Sequence, residues 1–401
     1  MSRLQRNLLK AKLPPSGNFS RPGKSDSMKA GRARDYKPTM WDEYFVEKID
    51  VVVDEKNTFR VYKTKEPAQP GPVILMLHGG GYSALTWAQF SVEVTQIIHC
   101  QCISIDLRGH GDSVTENDED LSGETLATDV GKIVAKLYPE NCPKILLVGH
   151  SMGGAIAVHV ASMELLPTLI GVTVIDVVEG TAMEALSSMQ SFLRCRPNYF
   201  KSIPHAIEWC VRSGQVRNLE SAKVSMPGQI INCKSKKLAT NELPLEAEES
   251  QEPTSPTTFE HPLSISENAE LDTNDVANDV AHGAPHFKVP THNPESIKQY
   301  TWRIDLSKSE KYWTGWFQGL SEKFLNLRVP KLLLLASIDG LDRTLTVGQM
   351  QGKFQMQVLA RCGHAVHEDR PHEVAEVIGT YMLRNKFAEP ASDFLRHMPA
   401  C

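Results

Sequence analysis

Five residues near the middle of the chain, Gly149-His150-Ser151-Met152-Gly153, have the types and spacing of a serine nucleophile held on a tight turn. A serine hydroxyl is a weak nucleophile at its own pKa. To do chemistry it needs a base beside it, an acid to orient that base, and donors for the negative charge that develops. The flanking glycines let an incoming strand and an outgoing helix approach while the serine takes a strained backbone conformation. A glycine-rich turn of this kind can also cradle a phosphate. The partners further along the chain favour the nucleophile.

Of the fourteen histidines, a base belongs in the loop after the last strand, which leaves His364 and His367. The pair Gly363-His364 ahead of a helix starting near Pro371 selects His364. Spacing leaves the acid open between Asp176, which ends a Val-rich run, and Asp339 or Asp342, which follow the run Lys331–Ala336. The one not used is a turn or cap residue. Two N–H donors are needed for the oxyanion: Met152, next to the nucleophile, and Gly80 or Gly81 in His78-Gly79-Gly80-Gly81. His78, His110 and His150 read as residues placed by their motifs to make hydrogen bonds.

These groups need elements to hold them. Ile49–Val53 and Thr58–Tyr62 flank a turn-like Asp54-Glu55-Lys56-Asn57 and predict a hairpin. Apolar runs at 72–77, 101–105, 145–148, 169–175, 331–336 and 354–359 predict strands, and 86–98, 121–138, 152 onward and 371–386 predict helices. Strands alternating with helices imply a mostly parallel sheet covered on both faces. Ligands bind such sheets beyond the carboxyl ends of the strands. The segments HGGG, DLRGHG, GHSMGG and IDVVEG all fall there. With Ser, Asp and His in that chain order, the predicted class is α/β, of the α/β-hydrolase fold.

The predicted organisation is a disordered basic tail over 1–40, the first half of the core over 41–180 and a helical cap over 181–232. A disordered acidic loop over 233–297, cap helices over 298–330, the second half of the core over 331–390 and a C-terminal tail over 391–401 complete it. The tail and the acidic loop hold too few apolar residues to offset the entropy of ordering. A net charge of −5 makes no case for nucleic acid, and no run reaches the roughly 18 apolar residues that span a bilayer. Eight scattered cysteines without CxxC spacing suit a reducing compartment and suggest no zinc site. A cytoplasmic or nuclear protein, monomeric when free, is expected.

Further segments narrow the reading. HGGGYSALTW, IDVVEGTAMEALSSMQSFLRCRP, TWRIDLSKSEKYWTGWFQGLS, PKLLLLASIDGLD, LTVGQMQGKFQMQVL and CGHAVHEDRP resemble the protein phosphatase methylesterase family over nearly all of 41–390. The resemblance implies a serine esterase that demethylates the carboxyl-terminal leucine of the protein phosphatase 2A catalytic subunit, which would be both substrate and binding partner. It assigns Ser151 as nucleophile, Asp176 as acid and His364 as base, and requires no cofactor. It also implies that the free protein can hold the triad out of register until the phosphatase docks. Trp302, Trp313, Trp316 and Phe317 are candidates for a peptide groove, with core packing expected for at least half of them. The competing readings are a general small-ester carboxylesterase and a non-catalytic scaffold for the phosphatase.

Overall fold

Period-two burial starts the fold: in β1 (Glu47–Asp54) Val51 and Val53 point inward while Val52 faces water. The strand pairs antiparallel with β2 (Asn57–Lys63), as the hairpin predicts. The computed structural model describes residues 34–243 and 298–391. Contacts divide the chain into Met1–Asp35 and Tyr36–Cys401, and the fold is that of the second unit. Most of the expected basic tail, residues 244–297 of the expected acidic loop, and the C-terminal tail beyond Ala391 lie outside the described residues.

Strands β3 (Val73–Leu77), β4 (Gln101–Ile105), β5 (Ile145–His150) and β9 (Lys331–Leu335) are buried along their whole length. That is why they read as continuous apolar runs. With β1, β2, β6 (Leu169–Ile175) and β10 (Gln355–Val358) they form an eight-stranded sheet of order β1-β2-β4-β3-β5-β6-β9-β10, parallel from β4 onward. Helices α1 (Ala88–Ile97) and α11 (Pro371–Arg384) cover one face through Phe90, Val94, Val374, Ile378 and Met382. On the other, α2 (Gly123–Leu137) buries Leu126, Ala127, Val130, Ile133 and Val134, a stripe at helical spacing, beside α3 (Met152–Ser162). Ser122 caps α2 by accepting from the Thr125 N–H. Truncating such a buried residue, for example Ile133→Ala, costs about 2–5 kcal/mol.

The chain leaves the sheet after β6 and builds a cap of α4 (Glu179–Arg194), α5 (Ile203–Ser213) and α6 (Leu219–Ser225). Phe200, Ile203, Ile207, Cys210, Met226 and Tyr300 give it a separate core. The cap is not wholly helical: β7 (Ile230–Asn232) pairs antiparallel with β8 (Tyr300–Trp302). Of the remaining expected cap helices, α7 (Glu310–Phe317) and α8 (Leu320–Asn326) sink Trp313, Trp316, Phe317 and Phe324 into the main core.

Two boundaries also move. Residues 233–243 are folded, because Leu238, Ala239 and Leu243 are buried and Glu242 accepts from Tyr300 and Asn232. At the other end, Tyr36 and Met40 already pack against the cap core, so the tail stops short of residue 40. Between β10 and α11 runs the short helix α10 (Val366–Asp369), and α9 (Arg343–Met350) precedes β10.

Candidate active site

Ser151 stands at the end of β5 with φ +52°, the strained conformation that the flanking glycines permit. A Cβ on Gly149 would lie 2.1 Å from the Gly153 carbonyl oxygen, and one on Gly153 would lie 2.4 Å from that of Leu77. The Ser151 N–H donates to Ile175 O at 2.9 Å on the neighbouring strand. One strand further on, Asp176 repeats the device: its φ is also +52° and its N–H donates to Leu334 O at 2.8 Å.

Asp176 Oδ1 accepts the Ala336 N–H at 2.9 Å, and Oδ2 lies 2.8 Å from His364 Nδ1. His364 Nε2 lies 2.9 Å from Ser151 Oγ. Burial pushes the Asp176 pKa upward, but the hydrogen bond and charge of His364, with the Ala336 N–H, outweigh it and hold the carboxyl below its ordinary range. An ionised Asp176 must accept from His364, which fixes the tautomer: Nδ1 carries the proton and Nε2 is free to accept the serine hydroxyl. Of the three acids considered, Asp176 is the one that the structure places against His364. Asp342 instead caps α9 through the Leu345 N–H at 2.8 Å and accepts from Ser321 Oγ at 2.5 Å, and Asp339 lies in the short turn Ile338–Gly340.

The three groups are in register in this structure. The physical reason is the anchoring of the histidine loop. His150 Nε2 lies 2.8 Å from the His364 carbonyl oxygen. Asp369 accepts the N–H groups of Gly363 at 2.5 Å and Arg217 at 2.6 Å. His367, the rejected base, is buried behind the site, with Nε2 2.9 Å from Thr86 Oγ1 and its ring 4.1 Å from that of Trp87. Burial, with the charges of His364 and His78, drives its pKa down to about 3, so it is neutral. Next to it Glu368 is fully buried, with the hydroxyls of Ser225 and Thr86 beside its carboxyl group. Burial pushes its pKa up to about 8 although the hydroxyls of Ser225 and Thr86 pull the other way, so it is a neutral acid at pH 7.

The glycine loop is held by histidines, as expected. His78 Nε2 accepts the Leu107 N–H at 3.0 Å and joins the loop to DLRGHG. His110 Nε2 accepts the Gly81 N–H at 2.9 Å. The Gly81 N–H is thus engaged with His110, which leaves Gly80 and Met152 as the candidate oxyanion donors. Asp106 accepts the Ala84 and Asp112 N–H groups, and Arg108 makes a buried two-point pair with Asp129, so this loop is fixed on both sides.

Above the serine lies a cavity of about 460 Å³. Its floor is Gly80, Ser151, Met152 and His364, and its walls include Tyr82, Trp209, Leu306, Trp313, Trp316 and Phe317. Three of the four aromatic candidates therefore reach it. Trp302 stands outside, stacked on Arg196. The roof is α4, which has no fully buried residue and turns Leu186, Met189 and Leu193 toward the cavity, with Phe192 exposed at the rim. Their i, i+3, i+7 spacing is the signal that sequence reading could have used for the roof. The arrangement suits nucleophilic attack on a carbonyl carried by an apolar group. Among the described residues, no group of three or more His, Cys, Asp or Glu is placed to hold a metal ion, all seven cysteines are unpaired, and no helix is long and apolar enough to cross a membrane.

Residues 74–377 match the model of the alpha/beta hydrolase family. The chain is 48% identical over 409 residues to protein phosphatase methylesterase 1 of Homo sapiens, and 47% identical over 409 residues to that of Mus musculus, covering 100% of each pair of chains. Among solved structures, E-2-(acetamidomethylene)succinate hydrolase superposes with a TM-score of 0.56 at 14% identity, over 84% of this chain and 98% of that one, a likeness of fold alone.

Proposed function

Since this chain belongs to the protein phosphatase methylesterase family of α/β hydrolases, we propose that it hydrolyses the methyl ester on the carboxyl-terminal leucine of the protein phosphatase 2A catalytic subunit. Ser151 Oγ attacks the ester carbonyl while His364 Nε2 takes the hydroxyl proton and Asp176 holds the imidazolium. The oxyanion is met by the Gly80 and Met152 N–H groups. Collapse breaks the bond to the methoxy group, which leaves as methanol with the proton from His364. Water, deprotonated by His364, then attacks the acyl-Ser151 ester and releases the free carboxylate and the serine.

The observation that carries this reading is the continuous relay of 2.8 and 2.9 Å from Asp176 through His364 to Ser151, opening into an apolar cavity under the cap. A leucine side chain suits that cavity, and the exposed Phe192 and Tyr199 lie near its opening, where a protein partner would approach. The phosphatase is then substrate and partner together, and the protein works in the cytoplasm, the nucleus or both. The test is release of methanol from carboxymethylated phosphatase catalytic subunit. Wild type should turn it over, and Ser151→Ala should lose activity by at least about a thousandfold. Demethylation that survives in Ser151→Ala would overturn the assignment.

A second reading, a general small-ester carboxylesterase, is favoured by one observation: the relay is assembled without a partner. It requires small esters to exceed the methylated phosphatase in kcat/KM. The same assay decides between them.

A further inference from the structure

Arg196 follows α4 and is the one Arg or Lys lining the cavity among the described residues. A cation partly withdrawn from water is normally paired, because the desolvation cost is otherwise uncompensated. Arg196 is not. Its Nε is enclosed without a hydrogen-bond partner, and the side chain has no carboxylate within ion-pair distance among the described residues. Burial lowers its pKa to about 10, partly countered by Tyr82 and Cys210, so it remains charged at neutral pH.

The guanidinium is nonetheless fixed. It stacks 3.5 Å over the Trp302 ring, and Trp302 is itself held by its Nε1–H donating to Pro197 O at 2.7 Å and by edge contacts with Phe200 and Trp209. Stacking positions the fork while leaving its donors uncommitted. Nη1 lies 3.6 Å from where a Cβ on Gly81 would stand, so the charge borders the glycine loop that supplies the oxyanion donor. Arg196 also lines a second cleft of about 280 Å³ that continues past Tyr199, Trp302 and Ser307. The cation therefore stands where the reaction cavity meets this second cleft.

We propose that Arg196 is a specificity-determining residue that receives a carboxylate of the peptide in the cavity. This rests on the peptide methylesterase reading. The carboxylate has two possible sources: the terminus freed by hydrolysis, or an acidic side chain shortly before the esterified leucine. Either would form the charge-assisted, two-point hydrogen bonds for which a guanidinium is shaped.

Two measurements separate these sources. The first is titration calorimetry of an N-acetylated, leucine-terminated tetrapeptide as free acid and as carboxamide. The second is kcat/KM for the methyl-ester peptides carrying Asp or Asn at the two positions before leucine. The expected preference for the carboxylate is about tenfold to a hundredfold in at least one of them. It should fall to near one in Arg196→Met and return in part in Arg196→Lys, with both variants keeping wild-type circular dichroism. A preference in the first measurement identifies the freed terminus, and one in the second identifies the side chain. A wild-type ratio of one in both, or a ratio that Arg196→Met leaves intact, overturns the proposal. Failure of wild type to hydrolyse any peptide methyl ester would overturn the methylesterase reading instead, and calorimetry of the acid and carboxamide pair and of the Asp and Asn pair, which needs no turnover, would still judge Arg196.

Discussion

Glu368→Gln isolates the proton buried behind the catalytic histidine. The folded chain holds this carboxyl at a pKa of about 8 against an ordinary value of 4.5. Between those values the folded state keeps a proton that the unfolded chain has released. Its stability contribution is therefore complete below about pH 4.5 and is lost as pH rises through about 8. At about 1.4 kcal/mol per pH unit, the full loss is on the order of 5 kcal/mol, a large fraction of a typical folding free energy. Gln keeps the shape and removes the titration. Urea unfolding of both proteins at pH 5, 6.5 and 8 should show the variant gaining on wild type as pH rises, by about 3–5 kcal/mol across that span. The adjacent His367, neutral in both proteins, and Asp369, the charge that acts on Glu368, are common to both and cancel in the difference. A difference that does not change with pH would refute a buried neutral Glu368.

Asp176→Asn should lower kcat about 10³–10⁴-fold with little change in melting temperature, because the imidazole loses the acceptor that sets its tautomer. Asp342→Ala should leave kcat in place and cost about 1 kcal/mol through the lost α9 cap; the reverse pattern in steady-state rates and thermal melts would move the acid. Gly80→Val should fold normally, since its Cβ would meet only Leu306 and Met152 at 3.6 Å or more. Its γ-methyl groups would crowd the oxyanion donors and cut kcat about 10²–10³-fold. Full activity in that variant would remove Gly80 from the site.

The sheet and the nucleophile were legible because each is written locally. A buried parallel strand is an apolar run, and a serine elbow needs its glycines within two residues. Asp176 was legible only by resemblance, because its role is a fact of strand order. His364 follows β10, and β9 lies between β10 and β6, so the histidine reaches past Ala336 to an acid two strands away. No spacing along the chain carries that information. The division between Gly80 and Gly81 was hidden for a related reason, since His110, from another loop, takes one of two donors that look alike. Arg196 left no trace either. One arginine among RCRP has no period, and only the folded cap shows that its charge is unmatched. At 233–243 polar composition outweighed three apolar residues, yet Leu238, Ala239 and Leu243 were enough to dock the segment.

The three members of the relay are not equally tethered. Ser151 and Asp176 terminate neighbouring strands, each with its amide bound to the next strand's carbonyl, so neither can leave without unzipping the middle of the sheet. His364 sits on a loop, its side chain about half exposed, with its carbonyl oxygen near one imidazole, that of His150. Of the three, His364 alone is placed by a loop and not by the sheet. A surface contact that altered the rate without entering the cavity would therefore act through the ties of that loop, to His150 and Asp369, and leave the nucleophile and the acid where the sheet holds them.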